Sequence, residues 1–378
     1  MNILFTVEFY EPHKGGAEEV VKQLAERLVE RGYAVTVATT SLVERVSTTL
    51  NGVHIEEFSL SGNETRGVHG DSTEIERYKK FILGGHFDMM INYAAQIWTT
   101  DLAFDVLDAF NGKKILVPCG YSGLHDSLYV DYFKKLPEVL KKYDRLVYLS
   151  CCYQDRIFGK EHELENKEVE IPNGAAVEEF IGGAIDDVKK KLGITTKYLL
   201  ITVANHYRDK GHQFVIEAFL KMKRDDATLL IVGNNPGSSF LGKAKQFLKG
   251  CHKTCLMQSV MHSNIVLMSG SNRNEVVSVY KQADLFLFGS KIECAPLVLY
   301  ESFASKTSFI STNVGNVGDY ADYVKLITTP AKMALKANEL LDDGIVRNNL
   351  AQRAFTLWHE KYTWDIIVDM YEKLIKSK

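Results

Sequence analysis

The stretch Ala283-Asp-Leu-Phe-Leu-Phe-Gly-Ser-Lys-Ile-Glu-Cys-Ala-Pro-Leu-Val-Leu-Tyr-Glu-Ser-Phe-Ala-Ser305 changes character twice. Leu285 to Phe288 is an apolar run of strand length, and Lys291 to Ala295 reads as a loop. Pro296 then suits the first turn of a helix, where its missing N–H would have no partner. Leu297, Val298 and Leu299 can pack that helix on a sheet while first-turn N–H groups stay free for an anion. Strand, loop and helix in this order are the βα unit of a parallel sheet. The unit also fixes two acids: Glu293 at the strand's carboxyl end, and Glu301 about one turn inside the helix.

The same alternation runs in both directions along the 378 residues. Ile3 to Val7, a helix from Gly16 to Arg31, and Ala34 to Thr39 open it, followed by strands at Met89 to Asn92, Lys114 to Pro118 and Leu146 to Ser150. Turn chemistry at Ile171-Pro-Asn-Gly174 closes this first half. A second series has strands at Tyr198 to Val203, Thr228 to Val232, Ile265 to Met268, Leu285 to Phe288 and Ser308 to Ile310. The reading is therefore α/β, with Rossmann-like doubly wound domains over 1–174 and 175–355 and a helical segment over 356–378. A ligand is expected at the carboxyl ends of the strands, in a cleft between the two. In the last segment Trp364, Ile367, Met370, Tyr371 and Leu374 form a helical stripe, and Asp365 suits its first turn.

With 46% hydrophobic and 25% charged residues and a formal net charge of -3, the composition is that of a soluble globular protein. It makes no electrostatic case for a nucleic-acid partner. Lys134, Lys135, Lys141, Lys142 and Arg145 are read as one helix with a solvated basic face, the alternative being an anionic membrane surface. Met1 to Glu8 is too short an apolar run for a signal-peptide core or a membrane span. The six cysteines follow no disulfide pattern, which points to a reduced, cytoplasmic setting. Cys251-His-Lys-Thr-Cys255 has a metal-ligand spacing, but the sequence offers no second ligand pair beside it, so it carries no metal assignment.

Three places carry candidate chemistry. Gly15-Gly16 sits where the first helix starts, so backbone N–H groups are open to a ligand there, although the pattern is not the G-x-G-x-x-G fingerprint. Asn205-His-Tyr-Arg-Asp-Lys-Gly211 follows a strand, and Arg208 and Lys210 suit a diphosphate clamp. Glu293 and Glu301 fit either a glycosidase pair, whose carboxyls stand about 5–9 Å apart, or a pair of hydrogen-bond acceptors for sugar and ribose hydroxyls. A solvated pair without function is the third reading.

Taken together these residues resemble the retaining glycosyltransferases of family 4, which have the GT-B fold of two facing Rossmann-like domains. The E-x7-E pattern from Glu293 to Glu301, with Pro296-Leu297-Val298 inside it, is that family's hallmark. Gly15-Gly16, Ile171-Pro-Asn-Gly174, Lys210-Gly211 and Thr312-Asn-Val-Gly315 agree with it in order, and the tail at Tyr362-Thr-Trp364 resembles the family's final helix, which crosses back to the first domain. The resemblance implies transfer of a sugar, with retention, from a UDP- or GDP-linked donor to a hydroxyl of a glycan or lipid-linked acceptor. It implies no cofactor and no required metal; the expected setting is cytoplasmic, with a peripheral site at the inner face of a membrane as the alternative. Glu293 would meet the donor sugar, Glu301 the ribose and Lys210 the diphosphate, with backbone amides from Ala295 through Pro296 and Leu297 to Val298 near phosphate or sugar oxygens.

The departures from the family are specific. An arginine is usual where Asn205 stands, which leaves Arg208 as the second cation. A glycine is usual at Lys306, and Cys294-Ala295 replaces small or aromatic residues. The strand at Lys114 to Pro118 ends without the family's histidine, and His125 is the nearest candidate on the acceptor side. Acceptor choice is assigned to the loops at 61–72 and 121–132. Alternatives are a GT-B protein that binds or hydrolyses sugar nucleotides without transfer, and a GT-B epimerase.

Overall fold

The apolar runs become parallel strands of two separate sheets in the computed structural model, which describes residues 1–234 and 251–377. The chain divides into two compact units, Met1–Asn173 with Trp364–Lys378, and Gly174–Thr363.

The sheet of the first unit has the order β10-β9-β8-β7-β1-β2-β4-β3. In chain order its strands are β1 (Asn2–Thr6), β2 (Ala34–Thr40), β3 (Thr49–Leu50), β4 (Val53–Phe58), β7 (Met89–Tyr93), β8 (Lys113–Val117), β9 (Arg145–Tyr148) and β10 (Glu168–Glu170). Every neighbour is parallel except the β3–β4 hairpin. Between β4 and β7 the chain makes a separate hairpin, β5 (Ser61–Asn63) and β6 (Gly67–His69). The Trp364–Lys376 helix belongs to this unit and buries Trp364, Ile367, Val368, Tyr371, Leu374 and Ile375. Arg31, at the end of the Gly16–Glu30 helix, holds it through Asp369 at 2.6 Å and Glu372 at 3.0 Å. Residues 344–361, part of which fell in the expected terminal segment, form their own helix in the second unit.

The second sheet has the order β13-β12-β11-β14-β15-β16, with β11 (Tyr198–Val203), β12 (Ala227–Val232), β13 (Ile265–Met268), β14 (Leu285–Phe288), β15 (Ser308–Thr312) and β16 (Lys325–Ile327). All its pairs are parallel. All four residues of β14 are buried, as a strand covered by helices on both faces requires. Phe286 and Phe288 join one hydrophobic cluster with Leu199, Ile201 and Leu230, whereas Leu285 and Leu287 join another with Leu200, Leu229 and Ile231. Each such side chain contributes about 1.5–3 kcal/mol by leaving water. A single-residue slip in register would exchange the two sets.

Two expectations change. The five basic residues do not share a helix. The helix is Val130–Leu140, it ends before Lys141, and Arg145 begins β9. Tyr143, fully buried after the helix end, turns the chain down into the sheet. Lys135, Lys141 and Lys142 pair with Glu64, Glu138 and Asp108, so no continuous basic face forms there. The loop expected at 61–72 contains the β5–β6 hairpin, which is pinned by Asn63 Nδ2 on Tyr129 Oη (3.1 Å) and by Glu64 N on Asp101 Oδ2 (2.9 Å). No helix among the described residues is long and apolar enough to cross a membrane.

Lys306 shows why a glycine is the usual choice at its position. The Leu297–Ala304 helix ends with Lys306 at φ 57°, in the left-handed region. Its N–H bonds to Phe303 O, and Thr307 N–H bonds to Ser302 O, which together make a Schellman cap. A side chain there costs about 1 kcal/mol, partly offset by its ammonium 4.3 Å from the Phe355 ring centroid. Lys306→Gly is therefore expected to raise stability by about 0.5 kcal/mol, read as a higher urea midpoint. A lower midpoint would mean that the cation–π contact outweighs the backbone cost.

Candidate active site

In the second unit the strand order reverses between β11 and β14, and the loops that follow these two strands lie side by side. The first runs from Ala204 through a 3-10 turn at Arg208–Lys210 to Gly211, where the His212–Met222 helix begins. The second runs from Gly289 to Pro296. Gly211, at φ 70°, lies so close that a Cβ there would stand 1.8 Å from Gly289 O. Lys291 N–H donates to Asp209 O at 2.8 Å and ties the loops together.

This contact brings together two residues that the sequence reading places apart, Lys210 and Glu293. Lys210 Nζ lies 2.8 and 3.0 Å from the two oxygens of Glu293. The Ser290 hydroxyl donates to the same carboxylate at 2.7 Å. The Glu293 side chain is 11% exposed and that of Lys210 33%, so the pair is recessed but can be reached from solvent. A third loop supports the backbone on either side of Glu293. Asn316 N–H donates to Cys294 O at 2.7 Å, and Gly315, at φ 56°, has room for no Cβ, which would stand 2.4 Å from that same carbonyl. Thr312 Oγ1 donates to Ser290 O at 2.7 Å. The Thr312-Asn-Val-Gly315 motif thus shapes the Glu293 loop.

Pro296 stands one position earlier than expected, as the cap of the Leu297–Ala304 helix. The N–H groups of Leu297 and Val298 open that helix and have no helical carbonyl a turn earlier to bind. Glu301 is 6% exposed and does not share Lys210. Its carboxylate takes Arg273 Nη2 at 2.6 Å and the Tyr280 hydroxyl at 2.8 Å, while Arg273 also reaches Glu179 at 2.6 Å. Two oxygens carry about four acceptor positions, so further hydroxyls can still be accepted. Both glutamates therefore accept from a cation and a hydroxyl of the protein. Arg273, Tyr280 and Ser290 were not singled out from the sequence. The capping box of Asn272 and Glu275 is the signal that fixes Arg273 at a helix start. Asn205 Oδ1 accepts from Asn234 N–H at 3.3 Å, so this side chain holds backbone, and Arg208 is exposed.

The remaining predicted residues belong to the first unit. Gly15 caps the Gly16–Glu30 helix in extended conformation. The Glu18 carboxylate folds over Gly15 and pairs with His13 at 3.0 Å, whereas Gly16 is exposed with open space beside it. His125 is exposed, in the loop before the Ser127–Tyr129 turn. Two acids of this unit escaped the sequence reading. Burial, then Glu18, pushes the Glu8 carboxyl up to about 7. Burial also pushes Asp101 up to about 6, against the hydrogen bonds it accepts from Glu64 N–H and the Tyr132 hydroxyl.

Two measurements check this description. Gly211→Ala forces the β11 and β14 loops apart and is expected to cost at least about 2 kcal/mol, with a loss of whatever ligand affinity the wild type shows; a wild-type denaturation midpoint would show that the loops do not touch as described. The folded chain holds the Glu8 proton more tightly than the unfolded chain, whose carboxyl titrates near 4.5. The protonated form's contribution is thus present below pH 4.5 and is lost as pH rises to about 7. Glu8→Gln should therefore gain stability relative to wild type across that window, and a difference independent of pH would place Glu8 in solvent.

Residues 184–356 match the family model described as glycosyl transferases group 1. The chain is 22% identical over 217 residues to the lipopolysaccharide 1,2-N-acetylglucosaminetransferase of Salmonella typhimurium, covering 55% of this chain and 56% of that protein. It is 26% identical over 219 residues to a probable sucrose-phosphate synthase of Thermosipho melanesiensis, covering 57% and 49%. The matched regions span about half the length of these curated relatives. Among solved structures, Anabaena HepE in complex with UDP and glucose aligns over 100% of both chains with a TM-score of 0.79 at 13% identity. The chain accordingly has the GT-B fold, and its residues 184–356 match the glycosyl transferases group 1 model.

Proposed function

We propose that this protein is a retaining glycosyltransferase of the hexosyl type, moving a sugar from a nucleoside-diphosphate sugar to a hydroxyl of a glycan or lipid-linked acceptor. The observation that carries the reading is the meeting of Lys210 with Glu293 at the strand reversal of the second sheet, beside the open N–H groups of the Leu297–Ala304 helix. An ammonium and a helix start side by side are suited to a diphosphate. A carboxylate beside them is suited to sugar hydroxyls. The second carboxylate, Glu301, is held by Arg273 and Tyr280 with acceptor capacity to spare for a ribose. Relatives that act on N-acetylglucosamine or were crystallised with UDP and glucose favour a UDP-sugar donor.

In the reaction as proposed, the bond from the anomeric carbon to the diphosphate oxygen breaks on the same face on which the acceptor oxygen bonds. The leaving phosphate takes the acceptor's proton. Charge accumulates on that phosphate, and Lys210 with the N–H groups of Leu297 and Val298 would stabilise it in place of a catalytic metal. Glu293, released from Lys210 as the diphosphate binds, would orient the sugar ring. Synthesis of polysaccharide or glycoconjugate at the inner face of a membrane is the setting that this chemistry suits.

Glu293→Ala and Lys210→Ala are each expected to lower transfer by ~10²-fold or more, the loss typical of removing a transition-state contact. Rates within about threefold of wild type, measured against that ~10²-fold expectation, would remove both residues from the site. Thermal-shift screening against UDP-, GDP-, ADP- and dTDP-sugars should identify the donor, because a bound nucleotide stabilises the fold by mass action. Added Mg²⁺ or Mn²⁺ should leave the rate unchanged. Tight donor binding with slow hydrolysis and no transfer to any acceptor would instead support a sugar-nucleotide-binding protein.

A further inference from the structure

A second constellation lies at the root of the same β11 loop. His206, in the loop, and His212, at the start of the next helix, are both fully buried. They face Cys251 and Cys255, which are 8% and 0% exposed. Cys251 precedes the His252–Met261 helix and Cys255 lies one turn inside it, so the i, i+4 spacing sets both sulfurs on one side. One ligand atom from each of the four residues falls within 4.8 Å of all the others. His212 Nδ1 is 3.1 Å and His206 Nδ1 3.6 Å from Cys251 Sγ. A tetrahedral zinc with bonds of about 2.1 Å to nitrogen and about 2.3 Å to sulfur needs about 3.6 Å between N and S and about 3.8 Å between sulfurs.

We propose that His206, His212, Cys251 and Cys255 bind a zinc ion in a Cys2His2 site that ties the loop bearing Lys210 to the His252–Met261 helix. Three features support it. The spacings, five residues between the histidines and three between the cysteines, fall within those of structural zinc sites, with the histidine pair first. Both imidazoles turn Nδ1 toward the Cys251 sulfur, the orientation in which Nδ1 would be the metal-binding nitrogen. Finally, Zn²⁺ with two thiolates and two neutral imidazoles carries no net charge, so it can be buried without a counter-ion. Binding replaces the two thiol protons by the metal and releases them to solvent. Tyr207 O also lies 3.6 Å from Cys251 Sγ.

The site staples both ends of the segment that carries Arg208 and Lys210. Its existence does not depend on the reaction proposed above, and the metal test is separate from any transfer assay. The full-length chain, purified under reducing conditions without chelator, is expected to contain one zinc per chain by mass spectrometry. Chain stripped of zinc and given Co²⁺ should show thiolate-to-cobalt charge transfer and the intense d–d bands of tetrahedral cobalt. Cys255→Ser and His206→Asn should lose the metal, while a Cys151→Ser, Cys152→Ser double variant keeps it. Should the site variants fail to fold, the cobalt spectrum of the wild type still decides. A reduced wild-type chain with neither zinc nor a cobalt spectrum would overturn the proposal and leave a buried thiol–imidazole cluster. A cobalt spectrum unchanged in a folded Cys255→Ser chain would also overturn it.

Discussion

The parallel pairing of β11 with β14 is the constraint on which the second unit depends. Leu200 lies against Leu285 and Ile201 against Phe286, although more than eighty residues of chain separate them. Because the intervening strands β12 and β13 are laid on the far side of β11, the chain must return across the sheet to place β14. The loops that follow the two strands then leave the sheet side by side, at the strand reversal where sheets of this kind place a ligand. Lys210 and Glu293 are the side chains that this return brings within hydrogen-bonding distance.

The close approach of those loops is made by residues with no side chain. Gly211 and Gly289 let backbone meet backbone, and Gly315 lets the third loop reach the carbonyl of Cys294. With the backbones in contact, the side chains that project beyond them need little freedom. Ser290 holds one oxygen of Glu293, and Arg273 and Tyr280 divide the oxygens of Glu301. Each acid is fixed by partners from a different element, so the separation between the acids is set by the helix and its cap and not by side-chain rotamers.

The strand-loop-helix units were legible because burial on both faces writes itself as continuous apolar runs, as at Leu285 to Phe288. Strands with mixed burial were not. Val53–Phe58 reads Val-His-Ile-Glu-Glu-Phe, half polar, because only some of its positions meet the core. The basic run at 134–145 misled because charge carries no helical period of its own, whereas buried Tyr143 shows where the chain leaves the helix. Glu293, Lys210 and the glycines could be read from local pattern and resemblance. Arg273 and the His206 and His212 pair could not, since their partners lie elsewhere in sequence and are chosen only by the fold.

The bond between Lys210 and Glu293 gives this site an electrical character of its own. An ammonium already neutralised by a recessed carboxylate offers little net attraction to a stray anion. Inorganic phosphate would have to separate the pair while giving the freed carboxylate nothing in return. A ligand that carries both an anionic group and an array of hydroxyls supplies a new partner to each side of the broken bond. Selectivity between such a ligand and the abundant simple anions of a cell would then reside in this one contact, before any specific reading of base or sugar begins.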